Sequence, residues 1–507
     1  MNRSRNARRG ILSGMINNIL RLFFPFVNRT VILYLLGVEY LGIGGLFTSI
    51  LQVLNITELG FGSAIAYILY KPISEDDTET INAILAFARK IFRYIGFSVL
   101  GLGLLCLPFI KKLISGDMPD NLNIYLLFLL YLANSSISYF LFSYKRVLLS
   151  AAQRYDLETT IGSIVLIAQN IFQLIVLLIW KNFYLYVIVF LISTILSNIL
   201  CDYITKRKFP QYFCKGHISS DEISLVKRTI RGIFVSRFGS VMFSSVNNIV
   251  ISSLFGLVLL GQYTNYYYIS SCIVGFFAII HNSLRPVLGN CFITESKQRM
   301  FCFLKDISFI YNWASAFCAC CMMCLYQDFI ILWAGNNNVL PLKFAILMSF
   351  SFFIGRVSSI PTVFVEAAGL YDESKYVYLT AGLLNLILNL IMATFFGIEG
   401  IVIATISTNI LVCLGGYAYV LFKNYFHEYI FVYQYIRTII PATIIQSSII
   451  ISAFFLSRFI KADNLYLFAG KTVSIIMIFT SFFLVYSAIN KSRIKDLSSY
   501  YNYITSF

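Results

Sequence analysis

The six residues Ala151-Ala152-Gln153-Arg154-Tyr155-Asp156 return 216 positions later as Ala367-Ala368-Gly369-Leu370-Tyr371-Asp372. The same shift carries Gln169 onto Asn385 and Gln173 onto Asn389. Residues four apart lie on one side of a helix, so each amide pair predicts a polar patch on one helix face. Both copies sit in a chain that is apolar almost throughout. A duplicated apolar chain with matching polar positions inside its helices points to a transporter built from two lobes.

Working outward, the chain has 507 residues, 58% of them hydrophobic and 12% charged. Its mean hydropathy is +0.78. A soluble protein of this length needs far more polar residues to cover its surface. The apolar runs are each about 20 residues or longer, enough to cross roughly 30 Å of hydrocarbon. They predict about 14 spans, near 10–36, 42–70, 86–110, 122–145, 158–180, 183–204, 230–256, 261–290, 304–333, 340–367, 375–396, 398–422, 437–460 and 466–489. The expected fold is an all-α integral membrane protein with two pseudo-symmetric six-helix lobes and a C-terminal helix pair.

The net charge is +16. Basic residues collect on cytoplasmic loops of membrane proteins, so this excess is read as topology rather than as a nucleic-acid surface. Arg3, Arg5, Arg8 and Arg9 precede the first span, and Lys145, Arg146 and Arg154 follow the fourth. Lys206, Arg207, Lys208, Lys215, Lys227 and Arg228 follow the sixth, Arg285, Lys297 and Arg299 the eighth, and Lys491, Arg493 and Lys495 the last. The opposite loops are short and poorer in charge, with Lys111, Lys112, Lys181 and Lys461 as exceptions. Both termini are therefore expected in the cytoplasm. The first apolar segment is too long for a cleavable signal peptide and ends without a small-residue cleavage site.

Both halves open alike. Arg9-Gly10-Ile11 begins the first span and Arg231-Gly232-Ile233 the seventh. The first hairpin turns between Gly37 and Gly42, and the corresponding turn runs from Gly256 to Gly261 with the same spacing. Two lobes starting on one side make a parallel repeat, with a pseudo-twofold axis along the membrane normal. The expected divisions are an N-terminal lobe at 1–204, a cytoplasmic connecting loop at 205–228, a C-terminal lobe at 229–424, and an added helical hairpin with a cytoplasmic tail at 425–507.

Eleven cysteines include Cys318, Cys320, Cys321 and Cys324 in one span. No polar partners lie close in sequence, so they read as small apolar packing residues. His217, His281 and His427 are far apart in sequence, and no metal site is expected among them.

The stretch from Leu36 to Asp77 reads LGVEYLGIGGLFTSILQVLNITELGFGSAIAYILYKPISEDD. It resembles the early region of bacterial polysaccharide flippases of the Wzx type. Glu58-Leu59-Gly60-Phe61-Gly62 and Tyr70-Lys71-Pro72 carry most of the likeness. Those flippases belong to the exporter superfamily that also holds multidrug extrusion pumps and the lipid II flippase. The resemblance implies movement of an undecaprenyl-pyrophosphate-linked oligosaccharide from the cytoplasmic to the outer leaflet by alternating access. It also implies residence in the bacterial cytoplasmic membrane and service to O-antigen, capsule or another surface glycan. A monomer, contact with membrane lipid, and cooperation with polysaccharide polymerase machinery come with it.

An ionisable residue at mid-span costs about 3 kcal/mol or more on insertion scales, so it faces a cavity or a partner. Arg21 lies eleven residues past Gly10, about 16 Å along the helix, near the midplane. Glu58 sits at the middle of the second span and can share that depth with Arg21. Arg29 lies farther out, beyond Pro25. In the second half, Arg237 lies in the inner part of span seven, Arg356 near the middle of span ten, and Glu366 near its inner end. Arginines from both halves predict a cationic cavity, and guanidinium forks suit pyrophosphate. Gln169, Gln173, Asn385 and Asn389 are candidates for sugar hydroxyls. Buried ion pairs between helices, interhelical hydrogen bonds and interfacial placement are the plainer alternatives.

A cation-coupled multidrug exporter of the same fold is the competing function. Such pumps need acidic groups to attract cations, and the central charges here lean basic. An enzyme is not expected, because the outer loops are short and carry no acid–base constellation. No nucleotide-binding motif is present and no cofactor is expected. Coupling falls to a proton, sodium or the membrane potential, with Glu58 and Glu366 as the candidate ion carriers.

Overall fold

The computed structural model describes residues 22–489 except positions 59, 117, 120–121, 219, 461 and 463. Arg21, the Arg9-Gly10-Ile11 opening, Leu59, Lys461 and the basic residues Arg3, Arg5, Arg8, Lys491, Arg493 and Lys495 lie outside the described residues. Among the described residues every regular element is helical.

The first elements are α1 (Leu22–Leu35), α2 (Val38–Leu54), α3 (Phe61–Ser74) and α4 (Thr78–Cys106). Next come α5 (Ile124–Phe140), α6 (Ser143–Ala151), α7 (Tyr155–Trp180) and α8 (Phe183–Lys208). They are followed by α9 (Ser220–Thr294), α10 (Lys297–Ala334), α11 (Leu342–Val357), α12 (Ser359–Ala367) and α13 (Tyr371–Phe396). The last are α14 (Ile398–Thr408), α15 (Gly415–Leu421), α16 (Tyr429–Ser457) and α17 (Leu465–Ile489).

Ten helical stretches among the described residues are long and apolar enough to cross a membrane, eleven if the bent pair α5–α6 is one span. One of them, Phe234–Thr294, is divided at Gly256, where φ is 85°. Two shorter apolar helices, α1 and α2, precede them. The described part of each expected span thus has a helical counterpart.

Continuous hydropathy conceals several breaks. The expected second span stops at Leu54, passes through a 3₁₀ turn at Asn55–Glu58, and restarts at Phe61 after left-handed Gly60. The expected fourth span bends by 53° between α5 and α6. The expected tenth divides at Ser358 into α11 and α12. Helix also occupies both ends of the 205–228 stretch, because α8 runs to Lys208 and α9 begins at Ser220.

The sequence repeat is visible in the helices. The nine-residue helices α6 and α12 start 216 positions apart, and so do the 26-residue helices α7 and α13. The motif between them closes one helix and opens the next. Arg154 N–H bonds Leu149 O at 2.8 Å, and Leu370 N–H bonds Val365 O at 3.1 Å. Gln153 (φ 56°) and Gly369 (φ 74°) both take the left-handed conformation that ends a helix in this way. Asp156 and Asp372 then stand in the first turn of the following helix, where a carboxylate complements the helix dipole.

The contacts form two compact units. One comprises the described residues up to Thr264 together with Tyr378–Leu386. The other runs from Asn265 to Val377 and from Ile387 onward. In lipid, helices gain little from hydrophobic association, so close approach and polar contacts hold them. In the first unit α2 meets α9 through Ser49–Asn248 at 2.8 Å and Gln52–Ser245 at 3.0 Å. In the second unit α10 packs against α11, α16 and α17. Lys471 of α17 reaches Asp328 of α10 at 2.7 Å, and Trp313 packs on Phe479, Phe483 and Tyr486. Cys320 and Cys324 are buried on α10.

Candidate functional site

In the first unit the polar residues of α1 and α7 meet. Asn28 donates to Asn170 Oδ1 at 2.6 Å and to Gln173 Oε1 at 3.3 Å. Gln173 also accepts from Gln169 at 3.4 Å and donates to the Tyr186 carbonyl at 3.2 Å. Asn28, Asn170 and Gln173 are all nearly inaccessible. The i, i+4 amide pair therefore does share a face, as its spacing requires, and that face joins α7 to α1 and α8. Asn170, which the repeat did not single out, holds the shortest bond of the network.

The equivalent amides in α13 are also enclosed. Asn385 and Asn389 are both fully buried. Asn385 donates to Asn247 Oδ1 of α9 at 3.1 Å. Gly239 of α9 lets these helices approach, since a Cβ there would strike the Tyr378 and Leu379 backbone. In this conformation Gln173, Asn385 and Asn389 face protein.

Arg29, one residue after Asn28, donates through Nη2 to Thr264 Oγ1. Arg237 is exposed on α9. Glu58 ends the 3₁₀ turn between α2 and α3 and accepts from the Tyr139 hydroxyl at 2.6 Å. Asn55 of the same turn accepts from Ser135 at 2.9 Å. Two polar side chains of α5 thus brace the break in the second span. The expected Glu58–Arg21 pairing involves a residue outside the described ones.

In the second unit Arg356 lies fourteen residues into α11, about 21 Å along it, just before the break at Ser358. The side chain is half-buried, and its enclosed Nε has no hydrogen-bond partner among the described residues. Tyr267 of α9 lies within electrostatic range of its guanidinium. Ser358 contacts Asn409 at 3.5 Å, and Ser359 donates to the Tyr311 hydroxyl at 3.2 Å. Glu366, near the end of α12, is held by Arg285 and faces His281 at 3.4 Å. Sequence reading assigned neither partner to Glu366, because they lie 81 and 85 residues away along the chain.

The site thus brings the amides of α1 and α7 together, and it gives Glu58 and Glu366 separate partners on separate units. Outside the spanning segments, Asp77 caps α4 by accepting from Thr80 N–H at 3.0 Å. Those hydrogen bonds with Thr80 hold its carboxyl below the usual range.

A family model described as polysaccharide biosynthesis protein matches residues 7–292, more than half of the chain. The chain belongs to that family. This member of the polysaccharide biosynthesis protein family shares its fold with solved membrane transporters. The lipid II flippase MurJ in an inward closed conformation matches with a TM-score of 0.64 and 16% identity, over 94% of this chain and 98% of its own. The Vibrio cholerae MATE transporter VcmN, as a mutant, matches at 0.56 with 16% identity, over 84% of this chain and 99% of its own. An inward-facing multidrug resistance MATE family transporter of the MOP superfamily matches at 0.58 with 15% identity, over 82% and 98%. Curated protein sequences give no match. Family and fold together make this an all-helical, multi-pass membrane protein of polysaccharide biosynthesis.

Proposed function

We propose that this protein is a flippase for an isoprenoid-pyrophosphate-linked oligosaccharide, carrying it from the cytoplasmic to the outer leaflet by alternating access. The observation that carries the reading is the Arg356 guanidinium, in the last turn of α11, whose enclosed Nε has no hydrogen-bond partner among the described residues. A buried donor without an acceptor costs about 1–3 kcal/mol, and a ligand oxygen removes that cost. A phosphoryl oxygen suits it, because the planar guanidinium offers two parallel donors. The family's role in polysaccharide biosynthesis supports a saccharide cargo. The fold shared with the solved lipid II flippase MurJ supports a lipid carrier.

Arg237, exposed on α9, is the second cation proposed to meet the head group, and Arg29 the third. Gln169, the more accessible amide of its pair, is the proposed sugar contact. Gln173, Asn385 and Asn389 join this contact only in a conformation that parts the helices now enclosing them. The proposed setting is the bacterial cytoplasmic membrane with both termini in the cytoplasm, as the basic loops suggest. The glycan is destined for an O-antigen, a capsule or another surface polymer.

The test is a deletion strain in which isoprenoid-linked repeat units are measured by mass spectrometry and surface polysaccharide is assayed beside them. Accumulated full-length units with loss of surface glycan support flipping. Normal surface glycan with new sensitivity to cationic dyes overturns it in favour of a multidrug exporter.

A further inference from the structure

We infer that Arg285, Glu366 and His281 form a relay that binds a phosphoryl group and a proton together. This rests on the preceding reading that the cargo carries phosphoryl groups. The three residues come from two helices of one unit, α9 and α12. His281 lies 25 residues past the Gly256 break, about 38 Å of helix, whereas the hydrocarbon is about 30 Å thick. His281 and Arg285 lie toward the Thr294 end of α9, and Glu366 is one residue before the end of α12, so the cluster is proposed to meet the head group of a lipid near a membrane face.

One carboxylate oxygen serves both cations. Glu366 Oε2 accepts from Arg285 Nη2 and lies 3.4 Å from His281 Nε2. Among the described residues the enclosed Nε of Arg285 has no hydrogen-bond partner, while 41% of the side-chain surface remains open. A phosphoryl oxygen can therefore approach the guanidinium without first displacing Glu366. Once it does, two anions share one cation and Glu366 is less fully neutralised. The imidazole beside it then gains stability as imidazolium, because a nearby carboxylate favours the charged form.

The step needs no covalent change. One proton moves from bulk water to the His281 ring, leaving Nε2–H directed at Glu366, as Arg285 turns toward the phosphoryl group. Reciprocity follows: anion binding raises proton uptake, and proton uptake tightens anion binding by the same factor. Release of the anion returns Arg285 to Glu366 and expels the proton.

Charged groups on α10, which packs against α12, are Lys297, Arg299, Lys305, Asp306 and Asp328, the last held by Lys471. Tyr371, at the start of α13, lies in electrostatic range of both Glu366 and Arg285. On α10, Tyr311 bonds Ser359 at the opposite end of α12. On α11, Arg356 also lies toward that opposite end, before Ser358. On α15, which packs against α12, the titratable groups are Tyr417 and Tyr419, and Tyr419 accepts from Lys423 at 2.9 Å.

The experiment uses the full-length protein in lipid nanodiscs with inorganic pyrophosphate as probe. Binding is followed calorimetrically near pH 7 in two buffers of different ionisation enthalpy, which yields the number of protons taken up. The wild type is expected to take up about half a proton or more beyond His281→Gln, which still binds. Arg285→Ala is expected to weaken binding about tenfold or more. Equal proton uptake in wild type and His281→Gln overturns the relay, as does unchanged affinity in Arg285→Ala. His281→Asn and the wild-type affinity between pH 6 and 8 supply the same comparison if His281→Gln fails to fold. If wild type binds no pyrophosphate, the relay and the phosphoryl cargo fall together. If it binds but the variants match it, only the relay falls.

Discussion

Gly42 and Gly261, the equivalent closing glycines of the two repeated hairpins, pack backbone to backbone. A Cβ built on Gly42 would collide with the Leu257 carbonyl and lie 3.2 Å from Gly261 N, while one on Gly261 would collide with the Val38 carbonyl. The hairpins that the duplication made alike therefore touch at the same position in each. Small residues at such crossings replace the hydrophobic drive that lipid cannot supply.

Gly42→Ala and Gly261→Ala should each lower stability by about 2–3 kcal/mol, because the obstacle is rigid backbone. Gly101→Ala on α4, which meets nothing within 4 Å, should be neutral or stabilising by up to about 1 kcal/mol. Thermal unfolding of the detergent-solubilised variants separates the two outcomes. Equal behaviour of all three would mean that this crossing is loose.

Arg356→Ala should abolish export while protein level in the membrane persists. Arg356→Lys keeps the charge but loses the two-pronged fork, so it should retain a small part of the activity. Surface glycan per unit of immunoblotted protein is the readout. Full activity in Arg356→Ala would remove this residue from the head-group site.

The pair Lys471–Asp328 fastens α17 to α10 at 2.7 Å, with side-chain exposures of 9% and 24%. Removing either partner strands the other charge, so Lys471→Met and Asp328→Leu should each cost about 3–5 kcal/mol. The double variant should recover most of that loss. A double-mutant cycle on unfolding midpoints measures it, and additive losses would show that the two charges act independently.

Asp77 gives a prediction with a sign in pH. Its folded pKa lies below the ordinary 3.8, held down by the Thr80 hydrogen bonds. Its contribution to stability is therefore present above about pH 4, and is lost as pH falls through the depressed folded value. Asp77→Asn should flatten the acid limb of the melting-temperature profile between pH 5 and 3. An unchanged limb would assign the acid sensitivity to other carboxylates.

Much of the fold was legible because its signals are local. Hydropathy alone located the spans, and the repeat at 151–156 and 367–372 marked two helix ends whose hydrogen bonds lie within six residues. The interruptions at Gly60, near Leu141 and at Ser358 were not legible, because the apolar pattern runs through them unchanged. The amides at 169, 173, 385 and 389 were found by their periodicity, but periodicity cannot say what a face meets. Asn28 and Asn170, 142 residues apart, supply the answer for α7.

By itself, then, the sequence determined that this is a duplicated, all-helical membrane chain with charged and amide side chains at depth. That follows from the cost of exposing backbone and charge to hydrocarbon, which acts on each segment separately. Only the tertiary structure decided the partners: Tyr139 for Glu58, Arg285 and His281 for Glu366, Asn247 for Asn385. Hydrogen bonds act over about 3 Å between residues far apart in the chain, so they are settled only when the helices have packed.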